Sequence, residues 1–316
     1  AATGDPDPTA MPPRPPTAAR EEDVGAQLGP YRLLQLLGEG GFGRVFLAQQ
    51  DEPVERQVAL KVIKLGMDTR QVVARFEQER QALAMMDHPN IARVIDAGET
   101  AMGRPFFVMD LVRGLPIVEH CDRNQLTIEE RLAIFTQVCD AVQHAHGKGV
   151  IHRDIKPSNV LVDTSAEELR PKIIDFGIAR STDSDIAIAT QRTELGQLVG
   201  TLQYMSPEQL AGDPSAIDIR TDVYALGLLF HELLTGQSAF DVAGLPVHKA
   251  ISSLSMAVPK RMRDAAPHLA TQVGGDLQTI LSKALERSIG VIAGSFEVIS
   301  RVFRYLCLSL LTYLVP

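Results

Sequence analysis

The sequence predicts an α+β fold, in which strands with one helix among them are followed by a mostly helical stretch. Three observations lead there: short strand-like runs with turns fill residues 31–112, a single run of helical periodicity interrupts them, and long apolar helical stretches follow. A length of 316 residues with 45% apolar content is enough for a sizeable buried core.

Residues 1–29 are rich in Ala, Pro, Asp and Glu, lack the apolar core of a signal peptide, and are expected to be disordered. Order is expected to begin near Tyr31, where YRLLQLLGEGGFGRVFLAQQ reads as a hairpin with Gly38, Gly40 and Gly43 in its turn. Glycine there lets backbone amides approach phosphates with no Cβ in the way, and Phe42 at the tip is placed to cover the site from water. Dinucleotide-binding folds share this glycine spacing, but their loop opens a helix. Here Arg44, Val45, Phe46 and Leu47 read as a strand.

The run Val58, Ala59, Leu60, Lys61 gives a further strand, and QVVARFEQERQALAMM a helix with Val72, Val73, Phe76, Leu83 and Met86 on one stripe. Glu77 and Glu79 on that helix both compete as partners for Lys61. Strands resume in IARVIDAGET and RPFFVMDLV, the second apolar enough to be buried on both faces. LTIEERLAIFTQVCDAVQHAHGKG then has helical periodicity, with Thr127 and Glu130 as a capping box and glycines at its end. TDVYALGLLFHELLTG is apolar on nearly every side, so it reads as a buried helix ended by Gly236, and Asp222 as a buried carboxylate in need of partners.

A net charge of −8 without a basic stripe argues against nucleic acid as a partner. Cys121, Cys139 and Cys307 are odd in number and widely spaced, which suits a reducing compartment and buried small side chains rather than disulfides. His144 and His146, two apart on a helix, point to different faces and make no metal site.

The chemistry concentrates in HRDIKPSN at residues 152–159 and in Asp175, Phe176, Gly177. Phosphoryl transfer needs an aligned acceptor hydroxyl and neutralised phosphate charge. Asp154, Lys156 and Asn159 lie on a loop, where their side chains can converge, and supply a base, a cation and a metal ligand, with Asp175 as the second metal ligand. His152 reads as a packed core residue.

These motifs resemble those of the protein kinase family, which implies its two-lobed fold, a small antiparallel-sheet N-lobe with one helix and a mostly helical C-lobe; Lys156 resembles the serine/threonine branch, and the overall arrangement is most similar to bacterial members. The resemblance implies ATP and Mg²⁺ as cofactors, Lys61 on the α- and β-phosphates, and, through RFEQERQAL followed by His88, Pro89 and Asn90, Glu79 as its ion-pair partner. It implies Met109 at the back of the adenine pocket, backbone hydrogen bonds to the base from Asp110 to Val112, and Val45, Ala59 and Leu161 around the ring. Ser206, Pro207 and Glu208 resemble the tripeptide closing the activation segment. Arg153 would take a phosphate from that segment, with Thr193 and then Thr190 favoured as acceptors over Ser181, Thr182 and Ser184, while Thr201 would bridge Asp154 and Lys156.

The resemblance runs from Tyr31 to about Glu286, dividing the chain into a segment 1–29, an N-lobe and hinge 30–112, a C-lobe 113–286 and an atypical apolar segment 287–316. The arginine that pairs with the closing Glu in the family has no match, since Arg287 comes too early. Glu208 is therefore expected to be a buried carboxylate without compensation, at a cost of roughly 3–5 kcal/mol. Residues 305–316 are too few to span a bilayer, and an amphipathic helix closing the lobe is the expectation. The function implied is a kinase acting on Ser or Thr of protein substrates and on its own activation segment. Its expected setting is cytoplasmic, as a free protein or as the cytoplasmic domain of a membrane-anchored one should the protein continue past residue 316. A catalytically impaired interaction module on the same fold is the alternative, and a small-molecule phosphotransferase would need neither Lys156 nor the long segment.

Overall fold

A computed structural model describes residues 23–40, 43–63, 86–164, 169–176, 200–267 and 275–286. The first lobe is a sheet of β1 (Gln27–Leu28), β2 (Tyr31–Gly40), β3 (Gly43–Gln50), β4 (Arg56–Ile63), β5 (Val94–Glu99) and β6 (Pro105–Asp110). Its strand order is β1-β2-β3-β4-β6-β5, antiparallel throughout. The apolar run of β6 lies between two partners and is buried from Pro105 to Met109, as its composition predicts.

Strand alternation sorts the sheet into two faces. Val58, Leu60 and Val62 enter one apolar cluster with Tyr31, Leu33, Phe46 and Val108. Ala59 and Ile63 enter the other with Phe107 and Met109, and Val45 packs against it. Lys61 shares that second face, so the period of two delivers the lysine and the small apolar residues to the same side.

Order begins earlier than the sequence predicts. Residues 23–29 are not free: Gly25 N donates to Leu33 O at 2.7 Å, Leu33 N to Ala26 O at 2.9 Å, and Leu28 is buried at the end of β1. An edge strand of two residues between Ala26 and Gly29 has no pattern to read, and pairing and packing against β2 hold it. Next to it the Tyr31 hydroxyl donates to Asp96 Oδ2 at 2.8 Å, and burial with that carboxylate pushes the phenol up to about 12.

A second sheet of β7 (Gly114–Pro116), β8 (Val160–Asp163) and β9 (Arg170–Ile173) joins the lobes. The helical lobe contains α1 (Ile117–Arg123), α2 (Ile128–Gly147), α3 (Pro207–Ala211), α4 (Ile219–Thr235), α5 (Val247–Met256), α6 (Met262–Ala265) and α7 (Gly275–Ala284). Helix α2 starts at the predicted capping box, with Glu130 N on Thr127 Oγ1 at 3.3 Å and Thr127 N on Glu130 Oε2 at 2.8 Å. Helix α4 is buried along almost its whole length and ends at Gly236 with φ +68°. At Gly227 an added Cβ would lie 3.0 Å from Ala284 Cβ and Leu285 Cδ2, so the missing side chain lets α7 seat against α4.

The three turn glycines differ in what they do for the fold. A Cβ on Gly43 would stand 2.3 Å from Val62 O, whereas Gly38 and Gly40 have nothing within 4 Å. Gly43→Ala is therefore expected to destabilise the protein by about 1–3 kcal/mol, through forced separation of β3 and β4, while Gly38→Ala leaves the melting temperature near wild type. Thermal unfolding of both variants checks this.

Glu208 departs from its expected state. It is half-buried, and its Oε1 accepts from Thr221 Oγ1 at 2.6 Å, with the Arg220 charge close enough to feel it. Among the described residues the carboxylate thus has a hydrogen-bond donor from α4 and is not a bare buried charge. Arg287 and the rest of 287–316 lie outside the described residues, as do Phe42, Glu77, Glu79, Gly177 and the candidate acceptors Ser181, Thr182, Ser184, Thr190 and Thr193.

Candidate active site

A cleft of about 770 Å³ opens where the first sheet faces the second sheet and the helical lobe. The turn and strands of the first sheet bring Gly38, Gly40, Gly43, Val45, Ala59 and Lys61 to it, and Met109 and Val112 line it where the chain leaves β6. Asp154, Lys156, Asn159, Leu161 and Asp175 come from the loops and strands below. Glu79 is the one predicted site residue not placed, because it lies outside the described residues. Ala59 faces Met109 across β4 and β6, and Val45 faces Lys61 across β3 and β4, so the apolar wall and the cation are cross-strand neighbours.

At the cleft floor the polar side chains hold one another. Asn159 Nδ2 donates to the Asp154 carbonyl at 2.8 Å and to Asp154 Oδ2 at 3.0 Å, and Lys156 Nζ approaches the same Oδ2 at 3.1 Å. Lys156 also donates to Thr201 Oγ1 at 3.4 Å, which is the Lys156 half of the expected bridge. Lys61 Nζ bonds Asp175 Oδ1 across the cleft. Because the Asn159 amide nitrogen is engaged by Asp154, its oxygen is the atom left to ligate.

Two residues here have left-handed backbone, Arg153 at φ +64° and Asp175 at φ +60°. For a long side chain such as Arg153 this costs about 1–3 kcal/mol and persists only where the surroundings hold it. They do so at both peptide groups. Arg153 N donates to Asp222 Oδ1 at 2.8 Å, and Arg153 O accepts from Gln209 Nε2 at 2.8 Å. The other oxygen of fully buried Asp222 accepts from His152 N at 2.7 Å and lies 2.7 Å from His146 Nε2. The carboxylate predicted to need partners thus has them in the backbone of His152 and Arg153 and in the His146 ring. Gln209 also closes a capping box at the start of α3, with its Oε1 accepting from Ser206 N at 3.0 Å.

A magnesium nucleotide fits this arrangement. The volume suits a ligand of that size, Gly38 and Gly40 leave the turn's backbone open, and an amide oxygen with a carboxylate suits a hard cation that completes its shell with phosphate and water oxygens. No group of three or more His, Cys, Asp or Glu that could hold a metal ion occurs among the described residues.

Residues 31–290 match the protein kinase domain. The chain belongs to the protein kinase family. The kinase is 41% identical over 231 residues to the serine/threonine-protein kinase pkn3 of Myxococcus xanthus, covering 71% of this chain and 41% of that protein. It is 34% identical over 260 residues to pkn2 of the same organism, covering 82% and 30%. It therefore spans less than half the length of these relatives. The crystal structure of the Mycobacterium tuberculosis PknI kinase domain is similar with a TM-score of 0.66 at 28% identity, covering 90% of this chain and 98% of that one. The relatives are bacterial serine/threonine kinases, the branch that Lys156 implies.

His152 of the kinase is a core residue, as predicted. Its Nδ1 accepts from Asp154 N at 3.2 Å, which assigns the proton to Nε2, 3.2 Å from Ile174 O, and the ring lies 4.5 Å from that of Phe176. Burial depresses its basicity. Burial does the same for His88, His120 and His231. Each holds its proton less well folded than unfolded, so the stability these groups contribute is present above about 6.5 and is lost as pH falls below it. Glu232, pushed up by burial, works in the opposite sense but is a single group. The melting temperature is expected to fall between about pH 7.5 and pH 5. A flat or rising profile in thermal scans would contradict this.

Sequence reasoning missed the Tyr204–Glu232 hydrogen bond at the far end of the cleft, where burial pushes the phenol strongly upward. A lone glutamate in the apolar run of α4 was the available signal. No helix among the described residues is long and apolar enough to cross a membrane.

Proposed function

We propose that the chain transfers the γ-phosphate of ATP to Ser and Thr hydroxyls of protein substrates in the cytoplasm, either free or as the cytoplasmic part of an anchored protein. The observation that carries this reading is the joined set Asp154, Lys156 and Asn159 at the floor of a cleft whose upper wall bears Lys61 and the turn glycines.

Asp154 accepts the acceptor hydroxyl's proton as that oxygen bonds to the γ-phosphorus and the bond to the β,γ-bridging oxygen breaks, releasing ADP. Lys156, 3.1 Å from the base, neutralises charge on the transferring group and holds the Asp154 carboxylate in orientation. Asn159 and Asp175 hold Mg²⁺, which neutralises phosphate charge when bound. Lys61, in contact with Asp175, binds the α- and β-phosphates, with Glu79 as its partner in the working state. Gly38, Gly40 and Gly43 bring backbone amides over the phosphates, and Val45, Ala59, Met109, Val112 and Leu161 enclose the base. Residues 30–112 and 113–286 are the two working lobes. Autophosphorylation of Thr193 or Thr190 orders the activation segment through Arg153.

Incubating the purified chain with Mg²⁺, γ-labelled ATP and a general protein substrate tests the reading. Label is expected on phosphoserine or phosphothreonine for the wild type and not for Asp154→Asn. Nucleotide-induced stabilisation with no label transfer would sink it.

A further inference from the structure

The segment ahead of β2 makes a contact that the chemistry above leaves unused. Asp23 Oδ1 lies 3.2 Å from Arg44 Nη1, and Glu39 Oε2 lies 3.8 Å from Arg44 Nε. Glu39 and Arg44 face each other across the hairpin, the pair next to Gly40 and Gly43. The guanidinium also lies over the Phe46 ring at 4.8 Å, and its side chain is 22% exposed against 47% for Asp23 and 49% for Glu39. Asp23 is itself an anchored point, since backbone hydrogen bonds tie residues 25 and 26 to Leu33 and Asp23 O accepts from Ala26 N at 2.9 Å. Arg44 therefore links a fixed position at the sheet edge to the root of the phosphate-covering turn, and Glu39, at the other end of the link, lines the cleft.

We propose that Asp23 and Arg44 are positioning residues for the nucleotide, with the segment ahead of the sheet setting the conformation of the glycine turn through them. The inference rests on the reading of the cleft as an ATP site. Two physical effects carry it. Tethering Arg44 at Asp23 restrains the hairpin before the nucleotide arrives, so less conformational freedom is lost on binding. Arg44 also offsets the Glu39 carboxylate, which otherwise opposes a polyanionic ligand across the same cleft.

Steady-state kinetics of the full chain and calorimetric titration with Mg·ADP test this in Asp23→Asn, Asp23→Glu and Arg44→Gln. Asp23→Asn and Arg44→Gln are expected to raise the KM for ATP and the Kd for Mg·ADP by about two- to fivefold, the range of half-exposed ion pairs, while kcat stays close to wild type. Asp23→Glu is expected to restore most of the loss. In about 1 M salt, where screening acts over roughly 3 Å, the gap between wild type and Asp23→Asn is expected to narrow. Wild-type KM and Kd in both charge-removing variants, or a fall in kcat at unchanged KM, would overturn the proposal. A wild-type chain that binds no Mg·ADP would overturn the site reading itself and this inference with it. Asp23 is half-exposed, so its variants keep the test open if Arg44→Gln fails to fold.

Discussion

Replacing Asp154 by Asn is expected to lower kcat by about 10²- to 10⁴-fold, the usual contribution of an aligned general base, while nucleotide affinity stays close to wild type. The asymmetry follows from the contacts. Asp154 is 8% exposed and engaged on Oδ2 by Asn159 and Lys156. An amide of the same shape can present its oxygen to both donors, so the loop keeps its geometry, but it cannot take a proton at neutral pH. Single-turnover kinetics with a peptide acceptor separate the chemical step from binding, and titration with Mg·ADP measures affinity directly. Near-wild-type turnover in Asp154→Asn would remove Asp154 from the chemistry, and much weaker nucleotide binding would mean that its main role is holding the site together.

The second large effect is expected far from the transferring phosphate. Asp222→Ala removes the acceptor for His152 N and Arg153 N and leaves the His146 ring facing a void, all in a position of zero exposure. Breaking such a buried network costs about 3–5 kcal/mol, out of a total stability of roughly 5–15 kcal/mol for a typical domain. The melting temperature is expected to drop by roughly 6–20 °C. Asp222→Asn should fall between the two, because it keeps one acceptor but turns an amide N–H toward a donor. Differential scanning calorimetry of the three proteins ranks them. If Asp222→Ala melted within a degree or two of wild type, the left-handed turn at Arg153 would have to be held by something other than this carboxylate.

Much of the fold is readable because its signals are local. The buried run of β6, the Thr127–Glu130 capping box and the Gly236 terminus are each encoded within a few residues. β1 is not, because two residues have no period, and backbone pairing with β2, packing of Leu28 and the Arg44–Asp23 contact hold them. The site residues follow from resemblance, and the cleft gathers every one that is described. Three of the pairings do not follow from that resemblance. The Lys61–Asp175 contact, the Tyr204–Glu232 bond and the Thr221–Glu208 bond join positions set by tertiary packing. The last of these gives the Glu208 carboxylate a hydroxyl partner on α4 that its own neighbourhood in the sequence does not announce.

Gln209 has one planar amide, with its oxygen on the peptide N–H of Ser206 and its nitrogen on the peptide carbonyl of Arg153. Donor and acceptor sit on opposite ends of a rigid group little more than roughly 2 Å across. The chain entering α3 and the chain entering the Asp154 loop are thereby mechanically in series. Any shift of one against the other by much more than the slack in a hydrogen bond breaks one end of the amide and returns the strained Arg153 peptide to a single support. A displacement of the chain entering α3 is thus expected to reach the backbone next to Asp154 through this one amide.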